Sequence, residues 1–235
     1  MKTLDLTDGS ISKKLILFSL PMIAGNLLQQ LYNLADTLIV GRFISADALA
    51  SVGSSYTLMT FLTSLIIGLC MGSSTFFSED FGSSDKEKLN SDIYLSFIFI
   101  LVVTLFITVL IYPISTEILH LLKIPEQLYE MTYTYVHIVF AGMFFIFLYN
   151  FFSFLLRSLG NSSAPLFFLA FSSILNIILD VYFITSLSLG IAGAALATVI
   201  SQAISGIGIT FYAFLTSNKL TSSLSNQHIW NVQNC

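Results

Sequence analysis

Six long apolar segments run through the chain, at about residues 15–41, 50–77, 92–113, 132–156, 165–186 and 190–215. Each has the roughly 20 residues that an α-helix needs to cross the hydrocarbon of a bilayer. Their apolar character is continuous, whereas the strands of a membrane barrel alternate apolar and polar over about ten residues. The pattern therefore predicts an all-α integral membrane protein with six transmembrane helices. The stretch Pro21 to Gly41 is unlike the others. Asn26, Gln29, Gln30, Asn33 and Asp36 interrupt it at spacings of three and four, which places them on one helical face. A carboxylate at the centre of a span costs about 2.5 to 3.5 kcal/mol or more, so Asp36 is a residue with a use.

The connections are short and polar. Arg42 to Ala48 reads as a tight hairpin, and SEDFGSSDKEKLNSD (78–92) lies outside the membrane. Between Ile114 and Met131 the spacing of Ile118, Leu119 and Leu122 predicts a short amphipathic helix at the interface, ending before Pro125. RSLGNSSAP (157–165) is a turn that puts Pro165 in the first turn of the next helix. The end, SNKLTSSLSNQHIWNVQNC, lacks periodicity and reads as unstructured. Three parts result: an N-terminal segment at 1–14, a six-helix lobe at 15–216, and a tail at 217–235.

Composition supports the class. Of 235 residues 55% are hydrophobic and 9% charged, and the mean hydropathy is +0.86. A globular protein carries about 25% charged residues, so polar surface is too scarce here for a soluble domain. Two cysteines, Cys70 in an apolar run and Cys235 at the end, make no disulfide framework. A cytoplasmic N-terminus leaves only Arg42 and Lys123 of the nine basic residues outside, so the positive-inside rule puts both termini in the cytoplasm. Codon-driven usage of Lys, Ile, Phe and Ser suggests a bacterium, and hence the bacterial plasma (inner) membrane.

Two acids alone fall well inside spans, Asp36 and Asp180. Asn176 stands one turn before Asp180, on the same face. A carboxylate and an amide carbonyl at that spacing can hold a small hard cation, or tune a proton's affinity for the acid, because burial disfavours the carboxylate's charge. If the first and fifth spans pack together, Asp36 supplies a second carboxylate, and the pair then needs a cation or a proton between them. The structural alternative is that each Asp caps a broken helix or pairs with a nearby hydroxyl. In the sixth span Gly190, Ala194 and Thr198, with Gly193, Ala197 and Ser201, form small-residue ridges for close helix approach, and Thr198 can also turn toward a polar site. Lipid contact accounts for most rings of the aromatic fourth span, leaving Asn150 as its polar exception and Tyr149, Gln30 and Asn33 as weak candidates for a substrate cavity. His137 reads as interfacial. No phosphate loop, metal-ligand spacing, or nucleophile with its base is present, so neither an enzyme nor a nucleic-acid-binding protein is expected.

PMIAGNLLQQLYNLADTLIVGRFISADALASVG, FGSSDKEKL, LLRSLGNSSAP, LNIILD and GIAGAALATVIS occur in this order, and together they resemble the N-terminal half of a MATE (multidrug and toxic compound extrusion) transporter across about residues 10–215. The resemblance implies one six-helix lobe of a twelve-helix machine that expels cargo in exchange for Na⁺ or H⁺, with no other cofactor. It implies a cation site at Asp36, Asn176, Asp180 and Thr198, with Asn150 as a further member. Such a transporter is about twice as long, and the expectation is of a truncated chain or of a half-transporter that pairs with a second copy or a separate C-lobe.

The leading expectation is a cation-coupled antiporter component that exports amphipathic, often cationic, drugs or metabolites. A flippase-like exporter of lipid-linked substrates ranks lower, because no Arg is expected in the interior. A non-transporting membrane fragment is the third reading.

Overall fold

The computed structural model describes the backbone of residues 11–233 and the side chains of residues 16–216. Every described element is helical: α1 (Ile11–Phe43), α2 (Ala46–Gly82), α3 (Lys86–Leu121), α4 (Glu126–Ala141), α5 (Met143–Ser158), α6 (Ser163–Val181) with a π-helical turn at Tyr182–Ser186, and α7 (Gly190–Gln233). The segment 1–14 lies almost wholly outside the described residues. The backbone of α7 continues as helix into the 217–235 tail that the sequence reads as unstructured, a stretch with no Pro or Gly to stop it.

The turns follow from local chemistry. Ser45 caps α2, its Oγ accepting from Ala48 N at 3.0 Å, and Asp85 caps α3 by accepting from Lys88 N at 3.0 Å, each satisfying a free helix N–H. Helix consumes most of the 78–92 linker, which leaves Asp80 on α2 buried and ion-paired to Lys88 Nζ at 2.8 Å. The separate interfacial helix expected at 114–131 does not form. Its first half is the end of α3, which runs through Pro113 to Leu121, and α4 begins at Glu126 directly after the Pro125 N-cap.

Among the described residues four helices are long and apolar enough to span a membrane, and α4 with α5, bent by 48° at their junction, makes a fifth when taken as one span. The bend falls at Gly142, where an added Cβ would lie 2.9 Å from Val199 Cγ2. The first expected span is α1, 33 residues long, whose opening residues lie outside the described side chains. Leu20, Leu27, Leu31, Leu34 and Leu38 occupy the face away from its polar residues and are exposed.

α5 is the central helix, packed on α7 and α2 and also touching α3. The aromatic run of the fourth span therefore forms the core rather than a lipid-facing surface. Phe147 and Phe151 are buried, and Phe151 meets Phe97 edge-on at 5.2 Å and Phe77 at 6.0 Å. The small residues of α7 do permit close approach: Ala194, Ala195 and Ala197 are fully buried, and a Cβ on Gly206 would come within 2.8 Å of the Phe145 carbonyl oxygen.

Candidate functional site

Packing of α1 against α6, and of α6 against α7, brings the two intramembrane acids together. The carboxyl groups of Asp36 and Asp180 face each other within hydrogen-bonding range, and both residues are buried, at 7% and 0% exposure. Asn176, one turn before Asp180, donates from Nδ2 to Thr198 Oγ1 at 3.4 Å. No described N–H or O–H donates to Asp36 Oδ1, to either oxygen of Asp180, or to Asn176 Oδ1. Buried acceptors left without donors are unfavourable, and two carboxylates in contact repel. A proton on one carboxyl, or a hard cation among these oxygens, answers both deficits. The oxygen donor set therefore fits the coupling ion that the resemblance implies.

Tyr32 and Tyr135 also stand within electrostatic reach of both carboxylates, Tyr32 lying against Thr198. The sequence reading did not single out either. Tyr32 had a signal, since it stands four residues before Asp36 on the polar face; Tyr135 sits in an unmarked stretch of α4.

Asp36 opens onto a cavity of about 490 Å³ between α1, α2, α4, α5, α6 and α7. Gln30, Asn33, Tyr149, Asn150 and Thr198 all line it, with Asn26 and Gln29. Asn33 Nδ2 donates to Gln30 Oε1 at 3.3 Å and the Tyr149 hydroxyl to the Pro165 carbonyl at 3.1 Å. Asn150 turns its Nδ2 back to the Ile146 carbonyl at 2.8 Å, so it lines the cavity while donating within its own helix. His137 is held away from the cavity, between α3 and α4, by Tyr112 and Tyr133.

The cavity also overturns the expectation of an interior without Arg. α5 extends to Ser158, and this extra turn carries Arg157 onto the cavity wall. The signal was present in the spacing: Asn150, Ser153 and Arg157 follow at three and four, one face of a helix.

A helical lobe with a buried acid pair beside a polar cavity defines a membrane protein of the transporter class. The sequence matches the MatE family over residues 21–182, and the chain belongs to that family, the multidrug and toxic compound extrusion transporters. It is 37% identical over 212 residues to a probable multidrug resistance protein, YpnP, of Bacillus subtilis (strain 168), covering 90% of this chain and 48% of that one. It is 30% identical to the multidrug export protein MepA of Staphylococcus haemolyticus, covering 87% of this chain and 45% of that one. The fold matches the outward-facing conformation of a multidrug resistance MATE family transporter of the MOP superfamily with a TM-score of 0.85 at 29% identity, over 92% of this chain and 49% of that one. The chain thus spans about half the length of the relatives it matches.

Proposed function

We propose that this chain is one lobe of a cation-coupled exporter of amphipathic, often cationic, small molecules, seated in a bacterial plasma membrane with the N-terminus in the cytoplasm. The reading is carried by one observation: Asp36 and Asp180 meet, buried and short of donors, beside a polar cavity. Na⁺ or H⁺ would be held by Asp36, Asp180 and Asn176, with Thr198 orienting the amide. Loading the pair would relieve its repulsion and alter the packing of α1, with Pro21 and Gly25 as its pliable points, and cargo would leave the cavity. The other lobe comes from further chain, a second copy or a separate protein, since alternating access needs two bodies to move against each other. Efflux of a fluorescent cationic dye from cells expressing the chain, alone and with a C-lobe, tests the proposal. Dye extrusion that disappears in Asp36→Asn supports it, and extrusion unchanged by that substitution refutes the assigned site.

A further inference from the structure

The cavity is charged at both ends. Gly25 packs against Leu166 and Leu169 near the start of α6, and Asp36 stands eleven residues further along α1, about 16 Å at the helical rise. Asp36, which Asp180 meets, marks one end. Arg157, the penultimate residue of α5 just before the turn into α6, marks the other. Among the described residues no carboxylate pairs with Arg157, whose nearest titratable neighbour is Tyr149. The guanidinium lies 5.4 Å above the Phe154 ring, and its Nε is buried with no hydrogen-bond partner. On α7, Ser201 and Gln202 also line the cavity, one turn beyond Thr198, with Oγ and Oε1 buried and unpartnered. An unpaired planar cation on a cavity wall, beside the Phe154 ring and Tyr149, suits a bidentate acidic group on an apolar body.

We propose that the Arg157 end of the cavity is a subsite for a carboxylate or phosphate group of the cargo, so that zwitterionic or acidic amphipathic molecules enter as well as cations. The proposal rests on the reading that this cavity holds cargo, and it narrows the substrate class. The acidic group can belong to a soluble molecule or to a lipid headgroup.

A matched dye pair tests it. Rhodamine 110 carries a free carboxylate, and rhodamine 123 is its methyl ester with the same ring system. Fluorescence anisotropy with the full chain in phosphatidylcholine nanodiscs should give at least about tenfold tighter binding of the free acid, a difference within the range of one charge-assisted contact. Arg157→Gln should equalise the two dyes, and Arg157→Lys should keep part of the preference. Equal affinities in the unaltered chain, or a preference that survives Arg157→Gln, overturn the subsite but leave the cavity reading intact. Binding of neither dye by a fully helical protein overturns both. If Arg157→Gln does not fold, the ratio in the unaltered chain and Arg157→Lys decide the matter. Displacement of rhodamine 110 when phosphatidylglycerol is added to the disc supports the subsite with a lipid source, and its retention supports it with a soluble acid.

Discussion

Asn176 on α6, one turn before Asp180, donates its side-chain amide to the Thr198 hydroxyl on α7 at 3.4 Å, which leaves the amide oxygen buried and unpartnered. The hydrogen bond commits the –NH₂ end of the amide to Thr198, so the oxygen is the end left for a ligand. An oxygen there adds a cation ligand, whereas an –NH₂ would add a competing donor.

The first prediction concerns that orientation. Thr198→Val removes the acceptor and frees the amide to rotate, so the affinity for the coupling ion should fall by about fivefold, the effect of one supporting hydrogen bond of roughly 1 kcal/mol. Thr198→Ser should retain the affinity. Titration of the purified chain with NaCl against choline chloride, and separately with acid, gives the measurement.

Two carboxyls that share one ion should act as a unit. A ligand at 100 times its Kd stabilises the folded state by about 2.7 kcal/mol, so the coupling ion should raise the melting temperature of the unaltered chain. Asp36→Asn and Asp180→Asn should each abolish that rise, and the double substitution should do no more than either one. Full additivity, or a rise retained in Asp36→Asn, would mean that the two carboxyls do not share an ion.

Close packing of α5 against α7 depends on Gly206. Its Cβ would meet a backbone oxygen at 2.8 Å, and backbone cannot move aside as a side-chain tip can. Gly206→Ala should therefore destabilise by about 1–3 kcal/mol, as overpacking does. Gly68→Ala, with nothing within 4 Å of the added carbon, should be neutral or slightly stabilising. Detergent-unfolding titrations followed by circular dichroism compare the two.

At the α2–α3 turn, Asp80 is 1% exposed while its partner Lys88 is 54% exposed on the side-chain scale. Removing the lysine strands a buried charge. Lys88→Met should lower the unfolding midpoint, and adding Asp80→Asn should restore much of it. No restoration would show that Lys88 matters for something other than this pair.

Much of the fold was legible because a bilayer permits few solutions. Backbone groups in hydrocarbon must be satisfied within the segment, so continuous apolar runs of sufficient length become helices whatever surrounds them. Periodicity also disclosed the polar face of α1 and the Asn176–Asp180 turn, since neighbours along one helix are fixed by its 3.6-residue repeat. Connections were less legible. Nothing local distinguishes the last turns of α3 from an interfacial helix, because the sequence does not mark where a spanning helix leaves the membrane.

What the sequence determined by itself was therefore the class of the protein, the position of its apolar segments, and the acids and amides within them. Only the tertiary structure decided that Asp36 and Asp180 touch, that the rings of α5 face inward, that α4 and α5 bend at Gly142 against Val199, and that Arg157 joins the cavity wall. The physical reason is the same in each case. Contacts within a helix follow from its own repeat, whereas contacts between helices depend on rotation and crossing, set by how side chains from distant segments interlock.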